Sequence, residues 1–160
     1  LKRGEVVYET GKINSPDSFS YTFYGEKQFN GEWLADLSIY ISYALGGFAG
    51  VNLFKAAIVL CSFILLFLTL RDSFDDRRLG VYLSIGILVI VLFSLRTRLI
   101  VRPYLFSYLF ISAFLYMINR YDKNQNPRIL YFLPFAEILL ANTSKGAFYG
   151  PLILFIFVIS

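Results

Sequence analysis

Charge-free stretches dominate the chain. Positions 37–54, 56–70, 79–95, 103–119 and 146–160 contain no Asp, Glu, Lys or Arg, and each is 15 to 18 residues long. Such runs, repeated along 160 residues and separated by short polar connections, predict an all-α fold, a polytopic transmembrane helical bundle. The expected spans are about 48–70, 79–95, 104–118 and 129–141, with a fifth apolar run over 151–160. Ten helical residues rise about 15 Å, half of a hydrocarbon core of about 30 Å, so the fifth span reads as truncated and the chain as a piece of a larger membrane protein.

The first part of the chain has a different pattern. Residues 1–33 are polar and turn-rich, with Gly4, Gly11, Pro16, Gly25 and Gly31, and are read as an extracytoplasmic loop. A helix is predicted next, over 34–47. Leu34, Leu37, Ile41, Leu45 and then Phe48 fall on one stripe, with Asp36, Tyr40 and Tyr43 opposite. That is an interfacial amphipathic helix, lying on the membrane or packed against the bundle, and Gly46-Gly47 breaks it.

Composition narrows the class. The chain is 57% hydrophobic and 16% charged, with a mean hydropathy of +0.60. Soluble domains run nearer half apolar and a quarter charged, and so apolar a chain is not disordered either. One cysteine, Cys61, rules out a disulfide framework, and the lack of histidine removes the commonest neutral-pH base and zinc ligand. The net charge of +4 sits in the connections between spans, which reads as topology and contact with membrane lipids rather than nucleic-acid binding.

Lys and Arg in short loops set orientation. One side has Arg71, Arg77, Arg78, Arg120, Lys123 and Arg128; the other has Arg96, Arg98, Arg102 and Lys145. Six against four in the short loops favours the first side as cytoplasmic; counting Lys2, Arg3, Lys12 and Lys27 of the leading segment makes it six against eight. The second side is then unusually basic for an outer face, which asks for a reason.

Several residues could carry chemistry, and each has an ordinary reading beside it. Asp17, after Pro16, is a helix N-cap or a surface carboxylate that takes a proton or binds a metal. Glu32, in Asn30-Gly-Glu-Trp-Leu34, is a first-turn acid or a second carboxylate of the same site. Arg96, Arg98 and Arg102 are either snorkelling headgroup anchors or a phosphate clamp, since guanidinium forks pair with phosphate oxygens and stay charged. Pro103 would hold Arg102 at headgroup depth. Lys145 is a loop lysine or a further phosphate ligand. Asn142-Thr-Ser is formally a glycosylation triplet. Lys55 and Glu137 are the charges within apolar spans, roughly 8–10 Å deep by helical rise. They are expected to approach one another or to line one polar cavity, as an ion pair or as part of a path. Asp72, Asp75 and Asp76 interleave with Arg71, Arg77 and Arg78 in a loop read as solvated and salt-bridged.

The order of these motifs resembles a known family. An outer loop with an early Asp leads to Glu32-Trp-Leu34; Arg102-Pro-Tyr-Leu-Phe-Ser107 opens a span; Ala141-Asn-Thr-Ser-Lys-Gly146 ends another. This is similar to the N-terminal part of bacterial C-type-fold membrane glycosyltransferases, the family 39-like, mannosyltransferase-like polytopic proteins. The resemblance covers nearly all of this chain. It implies transfer of a sugar from a polyprenyl-phosphate carrier to an acceptor outside a bacterial cytoplasmic membrane. It implies a base or metal-binding role for Asp17, with Glu32 second, and with Mg or Mn as the possible divalent cation. It implies that Arg102, with Arg98 and Lys145, holds the lipid phosphate, which would account for the basic outer face. The related turn often reads Trp-Ala-Asn-x-His-Gly; here it reads Leu140-Ala-Asn-Thr-Ser-Lys-Gly146, without the Trp and the His. A transporter or flippase-like protein with Lys55 and Glu137 on its path, or a non-catalytic envelope-assembly protein, are the alternatives. Sugar, acceptor, metal dependence and oligomeric state are not encoded in these patterns.

Overall fold

The computed structural model describes residues 1–16, 27–74, 76–96 and 100–159, with the strand residues 14–16 and 27–29 as backbone. Six helices account for most of them: α1 (Lys2–Thr10), α2 (Trp33–Asp72), α3 (Arg77–Leu95), α4 (Leu105–Asn124), α5 (Phe132–Thr143) and α6 (Tyr149–Ile159). A 3-10 turn, Pro127–Tyr131, leads into α5. Strands β1 (Asn14–Pro16) and β2 (Lys27–Phe29) form an antiparallel pair with Ser15 opposite Gln28.

The leading segment is more than a loop. α1 ends at Gly11, whose φ of +63° is the left-handed cap that a side chain would resist. Gly4 is buried where α1 crosses α2: a Cβ there would meet the Asp36 carbonyl oxygen and lie 2.7 Å from Tyr40 Cβ. Tyr8 packs on Tyr40 with ring centroids 5.5 Å apart. The face of α2 that reads as polar is thus covered by α1, a tertiary contact that periodicity does not show.

α2 is two limbs joined at Gly46-Gly47. Gly47 has φ +58° and ψ −148°, a region open essentially to glycine alone. The limbs fold toward each other. Gly50 lies against the Ser42 carbonyl oxygen, and Ala35 and Ile58 share one core cluster, each pair roughly equidistant from the break. The predicted apolar stripe is not the buried one. Ala35 and Ile39 are buried, while Leu45 is 84% and Phe48 71% exposed.

α4 is the spine against which α2, α5 and α6 pack, while α1 and α3 lie on α2. Ala35, Ile58, Leu105 and Phe106 form a cluster at the start of α4; Phe114, Leu133, Ala136 and Leu140 form a second one further along. Links between helices fix the direction of each. Ile58 meets the start of α4, and Asn119 Nδ2 donates to the Thr69 carbonyl at 3.1 Å, so α4 runs parallel to the second limb of α2. Tyr121 meets Phe157 at 6.4 Å, which sets α6 parallel to α4. α3 begins where α2 ends: a Cβ on Gly80 would lie 2.8 Å from the Arg71 carbonyl oxygen. Asp76 caps α3, accepting the Arg78 and Leu79 amides at 2.8 and 3.4 Å. Arg71 pairs with Asp72 at 2.6 Å.

Two helices, α2 and α3, are long and apolar enough to cross a membrane; α6 is shorter and equally apolar. Only 11% of either span window is buried, so neither is the hidden core helix of a soluble domain. Leu53, Tyr82, Ile90, Phe93 and Val158 stand open. The chain exposes 10735 Å², against about 8,200 Å² for a soluble monomer of its mass. Hydroxyl groups along the helices turn inward to their own backbone: Ser62 donates to Ile58, Thr69 to Leu65, Ser84 to Gly80 and Ser94 to Ile90, each four residues back. α4 extends beyond its predicted end at Ile118 to Asn124, and α5 has only 12 residues, about 18 Å of rise.

Candidate functional site

Three sequence motifs meet at one end of the helices. The first is the start of α2. Asn30 holds it: the Asn30 Oδ1 accepts the Glu32 amide at 3.1 Å and its Nδ2 donates to Asp36 at 2.9 Å. Glu32 occupies the N-cap position without using its side chain as a cap. Its half-buried carboxylate is therefore not consumed by the helix end.

The second motif is the turn after α5. Trp33 Nε1 donates to Asn142 Oδ1 at 2.8 Å, and Asn142 Nδ2 donates back to the Ile138 carbonyl at 2.7 Å. Asn142 thus receives and donates at once. Its amide is oriented by its own helix and fixes the half-buried indole.

The third is the entry to α4. Arg102, Pro103 and Tyr104 make a tight turn in which the Arg102 carbonyl accepts the Leu105 amide at 3.0 Å. Ser107, one turn on, hydrogen-bonds Ser144 through a very short hydroxyl–hydroxyl contact, and Ser144 Oγ also accepts the Gly146 amide at 3.0 Å. Gly146 is required by closeness: a Cβ would lie 2.8 Å from both Ser107 Oγ and Tyr149 Cδ2.

Beside this junction lies a cavity of about 290 Å³ lined by Arg102, Tyr104, Ser107, Tyr108, Ile111 and Tyr149. Arg102 is exposed there, among three tyrosines, a serine and one aliphatic residue. Such a lining supplies a permanent cation and several neutral donors, the set that a phosphate ester asks for. Arg96 is engaged elsewhere, its guanidinium 4.6 Å from the centre of the Phe93 ring. Lys145 is exposed in the turn between Ser144 and Gly146.

Not every predicted residue falls here. Asp17 and Arg98 lie outside the described residues. Among the described residues no group of three or more His, Cys, Asp or Glu gathers that could hold a metal. Lys55 and Glu137 do not form the expected pair. Among the described residues no ion pair joins them, and the cavity beside Glu137 is not lined by Lys55. The reason is level. Lys55 lies one turn before Ile58, which packs at Leu105, whereas Glu137 packs with Phe114, nine residues further along α4 and about 13 Å deeper. Counting from the loops failed because the fold at Gly46-Gly47 carries the start of the second limb beyond the start of α4, leaving Lys55 level with Phe106.

Asn142, Ser107 and Ser144 stood in the sequence only as members of motifs, with no contact or role in the site expected of them, and the tyrosines of the cavity had no expected role either. The signal present was polar residues interrupting apolar runs, which a helix usually absorbs within its own backbone. No family model matches the chain, and neither a curated protein nor a solved structure is similar to it.

Proposed function

We propose that this chain is part of a multi-pass membrane protein of the bacterial cytoplasmic membrane that binds a polyprenyl-phosphate sugar donor at the outer end of its helices and transfers the sugar to an acceptor there. Support comes from the exposed apolar faces of α2, α3 and α6 and from the junction of the three motifs. The observation that carries the reading is Arg102 at the rim of a hydroxyl-lined cavity, anchored by the Pro103 turn.

In this reading Arg102 neutralises the departing lipid phosphate. Lys145 adds charge from the neighbouring turn, and Arg98 would act beside Arg102. Tyr104, Tyr108 and Tyr149 offer ring surface to the first isoprene unit and hydroxyl groups to phosphate oxygens. Asp17, with Glu32 as second acid, would take the proton of the acceptor hydroxyl as the sugar–phosphate bond breaks.

Binding of polyprenyl phosphate and of the uncharged polyprenol to the chain in phosphatidylcholine nanodiscs tests the site. The phosphate form is expected to bind at least about tenfold more tightly, a difference lost in Arg102→Ala and partly kept in Arg102→Lys. Equal binding of both lipids removes the site. Sugar transfer in the full-length protein is expected to fail in Asp17→Asn; undiminished transfer refutes the role of that acid.

A further inference from the structure

Glu137 lies apart from the phosphate site and has a different problem. Its Oε2 is buried and has no hydrogen-bond partner. It rests on the backbone of Gly150, so closely that a Cβ there would collide with the carboxylate oxygen and sit 2.9 Å from Glu137 Cδ and from Phe114 Cζ. Beside it is a cavity of about 260 Å³ lined by Phe114, Leu130, Leu133, Pro134, Pro151 and Leu154. Glu137 as a whole is half-buried, and among the described residues nothing lining this cavity is charged: α4 offers Phe114, the 3-10 turn Leu130, α6 Gly150, Pro151 and Leu154, and α5 itself Leu133 and Pro134. Tyr149, beside Gly150, lines the other cavity, and Arg120, Asp122, Lys123 and Arg128 are exposed and do not line this one.

An ionised carboxylate cannot stay in such a place without a partner, because its lost hydration is not replaced. The neutral acid costs far less to leave unpaired there, because it carries no charge to hydrate. We propose that Glu137 is a proton-binding site inside the helices: the neutral carboxyl latches α6 onto α4 and α5 through Gly150, and loss of the proton releases α6 and lets water into the adjoining cavity. The chemistry involved is proton binding alone, with the proton passing to and from water. The cavity is large enough for several waters, each needing polar partners that only the ionised carboxylate and the freed start of α6 would supply.

The test uses the 160-residue chain in phosphatidylcholine nanodiscs, with dicyclohexylcarbodiimide as probe. This reagent adds to a protonated carboxyl in apolar surroundings: the acid proton goes to one nitrogen, the oxygen bonds to the central carbon, and the adduct rearranges without a leaving group. Peptide mass spectrometry is expected to find the adduct at Glu137 at low pH and to lose it as pH rises, about tenfold per pH unit once past the midpoint. Hydrogen exchange of α6, corrected for intrinsic rates, is expected to rise over the same range in wild type and to stay low in Glu137→Gln, which keeps the neutral shape. An adduct independent of pH, no adduct at Glu137, or α6 exchange that is the same in wild type and Glu137→Gln at every pH overturns the proposal.

Discussion

The indole of Trp33 donates to the side-chain oxygen of Asn142 at 2.8 Å, across 109 residues of chain. This bond closes the first limb of α2 onto the end of α5. Trp33→Phe keeps an aromatic ring and removes the donor, leaving a half-buried amide oxygen unmatched. The expected loss is about 1–2 kcal/mol of stability in detergent. In a double-mutant cycle with Asn142→Ala, the two changes should couple by about 1 kcal/mol or more, because they remove the same bond. Additive losses would show that the bond contributes nothing.

The break in α2 depends on one residue. Gly47 takes a backbone conformation with positive φ that a Cβ opposes, although no atom stands in the way of one. Gly47→Ala is expected to cost about 1–3 kcal/mol and to straighten the helix, drawing Trp33 away from Asn142. Trp33 is the sole tryptophan. Its emission should therefore shift to the red in Gly47→Ala, while Gly86→Ala, at an uncrowded helical position, should leave it unchanged.

Gly150 is crowded rather than strained. Gly150→Ala places a methyl group against the Glu137 carboxyl and against Phe114, which belongs to the second core cluster. A loss of about 1–3 kcal/mol in thermal unfolding is expected. Shortening the acid relieves it: Gly150→Ala should be less harmful in a Glu137→Ala background than in wild type. If the two losses simply add, the contact is not the cause.

The two serines at the junction are unequal. Ser107 makes its bond to Ser144 alone, whereas Ser144 also accepts the Gly146 amide. Ser144→Ala is therefore expected to be worse than Ser107→Ala, by roughly 1 kcal/mol, since it leaves a buried amide unsatisfied as well. Chemical denaturation of the two variants in the same detergent checks the order. A reversed order would mean that Ser107 serves another partner.

Much of the helical framework was legible in the pattern of residues. The charge-free run at 79–95 is α3 within two residues, Gly46-Gly47 is the break in α2, and Asn126-Pro127 opens the turn before α5. These features are local: each depends on residues a few positions apart and on backbone limits that glycine and proline change directly. α1 was not legible, because Lys2–Thr10 is short and mostly polar and is held by its contact with α2 through Gly4 and Tyr8. The length of α4 was misjudged because Arg120, Asp122 and Lys123 end the apolar run without ending the helix, which stops only at Gln125 with φ +49°.

The candidate site divides the same way. Arg102 beside Pro103 could be chosen from sequence, since a guanidinium and a rigid turn are properties of residues and their neighbours. Its surroundings could not. That Trp33 meets Asn142, that Ser107 meets Ser144, and that Glu137 faces Gly150 instead of Lys55 depend on how far each helix slides along α4. The sequence alone determined which segments are helical and apolar, because those follow from short-range sterics and the cost of hydrating hydrocarbon. The tertiary structure decided which polar groups share a level, because one helical turn of slip, about 5.4 Å, exchanges every partner while leaving each helix unchanged.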